Sequence, residues 1–128
     1  MANDTPHSAI NWFEIPVRDM DRAQAFYETL LGSPMRRDTM GPQTMALFRY
    51  DEPGVGGCLV ADAGASQPAD HGPLVYLNAA PSLDAALTRA QSAGARIATP
   101  KTELPADMGC FAVIIDTEGN RIGLHAMA

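Results

Sequence analysis

The sequence predicts an α+β fold built from two copies of a β-α-β-β-β module, and three observations carry that reading. A capped amphipathic helix pattern occurs twice, over 20–31 and 83–93, each time after a short strand pattern and before three more. Laid side by side, Asp21 to Gly32 answers Asp84 to Gly94 at an offset of about 62 residues. Between the copies, the run 63–72 is rich in Gly, Pro, Ser and Asp and has no apolar periodicity, as a connection should. One domain over 1–128 therefore divides into a first module at 9–62, the connection at 63–72 and a second module at 73–128.

Taken in order, Met1 to Ser8 is polar and reads as a lead-in. Ile10 to Val17 alternates, placing Phe13, Ile15 and Val17 on a face that a helix can cover and Trp12, Glu14 and Pro16 on the other. Asp19 is an N-cap, Met20 to Leu31 carries apolar residues at helical spacing, and Gly32 ends the helix. Pro34 to Asp38 and Met45 to Tyr50 are strands joined around Gly41-Pro42. Paired glycines lead into a fourth strand, Cys58 to Ala61, where they imply close backbone approach or a bulge.

After the connection, Leu74 to Ala79 is a strand, Pro81-Ser82 opens the second helix and Gly94 ends it. Arg96 to Thr99 is a strand closed by Pro100, and Lys101 to Met108 reads as an exposed loop, either a lid over an opening or a plain connection. The chain closes on Gly109 to His125. Its two Val- and Ile-rich halves flank Thr117-Glu118-Gly119-Asn120, a polar break whose glycine can take positive φ, which is the pattern of a β-hairpin.

Composition narrows the function classes. Of 128 residues, 46% are hydrophobic and 19% charged, a globular balance, and the net charge of -6 with scattered basic residues repels phosphate backbones and anionic lipid. Nucleic-acid and membrane partners are therefore not expected. No apolar run has the length of a membrane span, and Met1-Ala2-Asn3-Asp4 lacks the features of a signal peptide, so a cytoplasmic protein is the expectation. Cys58 and Cys110 have no metal-type spacing and read as buried small hydrophobes.

Three stretches carry a resemblance. Pro16-Val17-Arg18-Asp19-Met20-Asp21-Arg22-Ala23-Gln24-Ala25-Phe26-Tyr27, Leu83-Asp84-Ala85-Ala86 with Ala93-Gly94-Ala95, and Asp116-Thr117-Glu118-Gly119-Asn120-Arg121-Ile122 together resemble the vicinal oxygen chelate superfamily of glyoxalases, bleomycin-resistance proteins and extradiol dioxygenases. The resemblance implies that the modules curl into a half-open eight-stranded funnel with the helices outside. It also implies a homodimer, sometimes with exchanged strands, and a small-molecule ligand inside the funnel. Metal-dependent relatives place one ligand on the first strand of each module and one on the last. Carried over, these positions are Trp12, Leu74, Gly123 and one near Cys58. Trp12, Leu74 and Gly123 offer no side chain to a divalent cation, so no cofactor is expected and a metal is disfavoured.

Other residues on the concave face could take over. Glu14, two beyond Trp12, is a candidate general base or a partner for a cationic group, with a wet-rim carboxylate as the plain reading. His125 shares the face of Gly123 and is its candidate acid/base partner or a ligand in a reduced metal site. Tyr76 and Asn78 alternate with Val75 and Leu77 and should line the funnel, Trp12 should stack or pack there, and Arg121 is a candidate anion clamp at the rim. Cys58 joins this binding set. Two functional readings follow: a small-molecule-binding protein that works without the usual metal, or a lyase, isomerase or dioxygenase of the same superfamily using a relocated metal or the acid/base pair Glu14 and His125.

Overall fold

The computed structural model describes residues 5–61 and 67–128, so residues 1–4 of the lead-in and 63–66 of the expected connection lie outside the described residues. Ten elements follow in chain order: β1 (Trp12–Pro16), α1 (Met20–Leu31), β2 (Arg36–Met40), β3 (Gln43–Leu47), β4 (Gly56–Ala61), β5 (Tyr76–Asn78), α2 (Leu83–Ser92), β6 (Arg96–Glu103), β7 (Cys110–Ile115) and β8 (Arg121–Ala126). Strand order is β1-β4-β3-β2 in one sheet and β5-β8-β7-β6 in the other, the same β-α-β-β-β topology twice. In each sheet the first strand pairs parallel with the last and the remaining pairs are antiparallel. The eight strands make the half-open funnel of the predicted fold, with both helices on its outer side.

Local chemistry accounts for the helices. The Asp19 carboxylate accepts from Arg22 N–H and the Ser82 hydroxyl oxygen from Ala85 N–H, each satisfying an orphan donor of a first turn. Gly32 closes α1 in the left-handed conformation, φ 64°, donating back to Glu28 O. The buried stripe of α1, Met20, Ala23, Phe26, Tyr27 and Leu30, meets Leu83, Ala86 and Ala90 of α2 in a core that also takes Ile15, Leu59, Leu77, Ile114, Ile122 and Leu124 from the strands. One core thus serves both sheets. No helix among the described residues is long and apolar enough to cross a membrane.

The structure corrects the reading around Pro100. The sixth strand does not stop there but runs on to Glu103, paired with β7 through register shifts between Ile97 and Thr99 and between Thr99 and Thr102. Among the described residues β6 is an edge strand with β7 as its one partner in the sheet, so an imino acid without an N–H fits on its other side, and the irregular register absorbs it. Pairing with β7 through Glu103 holds residues 101–103 in the sheet, and Lys101 Nζ also donates to Asp84 Oδ2 of α2 at 3.2 Å.

A polar connection joins the halves. Glu118, in the turn between β7 and β8, places its carboxylate at the start of α1: Oε1 accepts from Arg18 N–H (2.8 Å), Asp19 N–H (2.9 Å) and Arg22 Nη2 (3.0 Å), and Oε2 from Arg22 Nε (2.7 Å). The Tyr27 hydroxyl donates to Asp116 Oδ2, and Asn120 Nδ2 donates to Pro16 O. Asp116, Glu118 and Asn120 are all buried, so the hairpin turn is an internal strut between the modules and not a surface loop.

Candidate functional site

Strand alternation separates two faces. Ile15, Val17, Leu77, Ile122 and Leu124 go under the helices, and the opposite face of the first sheet presents Trp12, Glu14 and Pro16 on β1 beside Cys58 and Val60 on β4. Cys58, Val60 and Met45 form a small second core there. Glu14 is paired with Cys58 in the β1–β4 register, and Tyr76 with Gly123 in the β5–β8 register. Backbone bonding shows these pairs to be counterparts, since Val17 N–H donates to Val60 O as Ala79 N–H donates to His125 O.

The positions that the resemblance assigns to chelation carry no donor set among the described residues. A Cβ on Gly123 would overlap the ring of Tyr76, which lies across the strand backbone at that point. A carboxylate side chain cannot start from this position while the ring is there. Cys58 is fully buried; burial first, and then the neighbouring Glu14 carboxylate, raise its thiol pKa against the contrary pull of the Trp12 indole. Its Sγ lies 4.0 Å from Met45 Sδ inside an apolar cluster with Val60, and as one buried thiol without a second donor it makes no chelating site. Leu74 is apolar, and among the described residues no three His, Cys, Asp or Glu side chains are grouped to hold an ion. The residues at these positions do not fit a divalent metal.

The candidate residues instead divide between cavities. Glu14 and Arg121 line one of about 320 Å³, floored by Ile15, Val75 and Ile122. Its wall is held in place: Asn120 Oδ1 accepts from Ala69 N–H at 3.2 Å and Arg121 N–H donates to Ala69 O at 3.3 Å. His71 also lines it, a residue the sequence reading passed over because it lies in the expected connection. Tyr76 and Asn78 line a second cavity, of about 550 Å³, with Phe13, Phe48 and Tyr50. The end of β1 thus faces the segment leading into β5, and the start of β1 faces the end of β5, so the two strands pass each other in opposite senses across the cleft.

Trp12 borders a separate shallow cavity with Tyr50 and Arg36, and His125 borders one with Tyr76 and Asn78. Glu14 and His125, the candidate acid/base pair, are thereby placed in different cavities. His125 Nε2 lies 2.7 Å from Met108 O and is occupied there as a hydrogen-bond donor.

The buried turn residues were also missed by sequence reasoning. Glu118 looked like turn filler, yet its carboxylate is fully inaccessible beside a half-exposed Arg22. Burial pushes its pKa up, but Arg22 and the N–H groups of Asp19 and Arg18 outweigh that and hold it at about 2. One signal was available: Tyr27 sits on the buried stripe of α1, and a buried phenol needs an acceptor. The structure supplies Asp116, and burial followed by that carboxylate raises the Tyr27 pKa well above its ordinary value.

The Glyoxalase/Bleomycin resistance protein/Dioxygenase superfamily matches residues 9–124. No curated protein matches. Among solved structures, a glyoxylase/bleomycin resistance protein/dioxygenase domain from Frankia sp. EAN1pec is 21% identical with a TM-score of 0.71, covering 94% of this chain and 98% of that one. The fosfomycin resistance protein FosX from Listeria monocytogenes is 15% identical, TM-score 0.64, with 93% of each chain covered. A glyoxalase I mutant from Zea mays is 18% identical, TM-score 0.65, over 91% of this chain and 45% of that one, so the chain spans about half the length of the maize enzyme. At these identities the structures bear on the fold.

Proposed function

The chain belongs to the glyoxalase/bleomycin resistance protein/dioxygenase superfamily, and from that premise we propose that it binds a small molecule between Glu14 and Arg121 without the divalent metal on which the superfamily's enzymes depend. The observation that carries this reading is the Tyr76 ring across Gly123, which takes up the space from which a chelating glutamate would extend. What remains is a cavity with an apolar floor and two opposite charges in its lining. Neither Glu14 nor Arg121 is engaged in an ion pair among the described residues. A ligand carrying an anionic group for the guanidinium and a cationic or N–H donor group for the carboxylate fits that pair.

Thermal unfolding in EDTA tests the proposal. Probes are fosfomycin, bleomycin and the hemithioacetal of methylglyoxal with glutathione, each of which carries charge. A compound present at a hundredfold excess over its Kd stabilises the folded chain by about 2.7 kcal/mol. That stabilisation is expected in EDTA and should be lost in Arg121→Ala and weakened in Glu14→Gln. Stabilisation seen only after metal is added, or undiminished in both variants, contradicts the proposal.

A further inference from the structure

The internal repeat makes the two larger cavities counterparts. Glu14, Ile15 and Pro16 occupy in one the places that Tyr76, Leu77 and Asn78 occupy in the other. A charged site and an aromatic one have thus arisen from the same scaffold. We propose that the aromatic cavity is a second ligand site, separate from the first, and that it takes a neutral planar aromatic molecule with a hydroxyl or carbonyl on its edge.

Its volume of about 550 Å³ accommodates a fused bicyclic ring system. Tyr50 reaches it from the segment after β3 and Tyr76 from β5, one ring from each module. Both rings lie across glycine backbone, Tyr50 over Gly56 and Tyr76 over Gly123, where any Cβ would collide with them. Each is also held at its side by an edge-to-face partner with centroids 6.1 Å apart, Trp12 for Tyr50 and Phe111 for Tyr76. Backed and flanked in this way, the rings are fixed before any ligand arrives. They remain 41% and 51% exposed, so each keeps a face open to the cavity. Rigid aromatic walls with a free face bind flat molecules at little cost in ordering entropy.

The polar groups specify the edge and the charge. Asn78 Oδ1 accepts from Ala80 N–H, which orients the side chain and leaves its NH₂ without a partner among the described residues, as a donor to a ligand oxygen. Ser33 also lines the cavity, and its buried hydroxyl is likewise unpartnered among the described residues. Arg49 and Asp51 both border the cavity, and their opposite charges give it no net field to select an ion.

The test titrates the full chain with 2-naphthol at neutral pH, followed by the probe's own fluorescence, with naphthalene as the edge-free comparison. Saturable binding is expected, weakened about fivefold by Tyr50→Leu or Tyr76→Leu and unchanged in Tyr50→Phe or Tyr76→Phe. Asn78→Ala should weaken 2-naphthol and leave naphthalene alone. Circular dichroism shows that each variant is folded. Absence of saturable binding, equal binding by the leucine variants, or loss of binding in Arg121→Ala, which would put the probe in the charged cavity, overturns the proposal.

Discussion

Replacing Glu118 by glutamine keeps the shape of the strut between the hairpin turn and α1 while removing its charge. The carboxylate is inaccessible and its pKa is held at about 2, against an ordinary 4.5. A depression of that size corresponds to about 3 kcal/mol of stability linked to one proton, a large share of what holds a domain of this size folded. Because the folded-state pKa lies below the unfolded one, the contribution is complete above pH 4.5 and disappears as pH falls toward about 2. Urea unfolding of the wild type and Glu118→Gln across that range measures it directly. At neutral pH the variant should be less stable by about 3 kcal/mol, and the gap should close in acid, where a protonated glutamic acid and glutamine are near equivalents. Taking the difference between the two proteins cancels the other carboxylates. A gap that stays constant with pH, or one below about 0.5 kcal/mol at neutral pH, would refute the assignment of Glu118 as a charged strut.

Two further predictions concern the concave face. Gly123→Ala should destabilise the chain by about 1–3 kcal/mol through collision with the Tyr76 ring, and most of that loss should be recovered in the double variant with Tyr76→Ala, as a double-mutant cycle in urea would show. Cys58 and Cys110 are both buried, and burial together with Glu14 keeps the Cys58 thiol protonated. Neither should react with an aromatic disulfide reagent in the native state, whereas both should react on unfolding; rapid native labelling of Cys58 would contradict the geometry.

What the sequence made legible was local. Asp19, Ser82 and Gly32 announce helix ends because their side chains or backbone freedom act on neighbouring residues, and the alternation through Phe13, Ile15 and Val17 needs no partner to be read. The fold followed because each such element occurs twice in the same order. Pro100 misled, since its effect depends on whether the strand has a neighbour on that side, and nothing local says that β6 lies at an edge. Glu118 was hidden for the same reason: its partners Arg18, Asp19 and Arg22 lie about a hundred residues away, and only tertiary contact turns a surface-like acidic residue into a buried one. In the candidate site, alternation separated Glu14, Tyr76 and Asn78 from the core residues beside them, but how two sheets face one another decides which side chains share a cavity. That arrangement grouped Glu14 with Arg121 and left His125 elsewhere.

Metal retention bears most directly on the central proposal. The purified chain is equilibrated with Zn²⁺, Ni²⁺, Mn²⁺ or Fe²⁺, desalted, and its metal content determined by mass spectrometry alongside protein concentration. With an indole at 12, a single buried thiol at 58, a leucine at 74 and Tyr76 across Gly123, the content should fall to a small fraction of an ion per chain for every metal. One ion retained per chain, and lost on Glu14→Gln or Cys58→Ser, would contradict it.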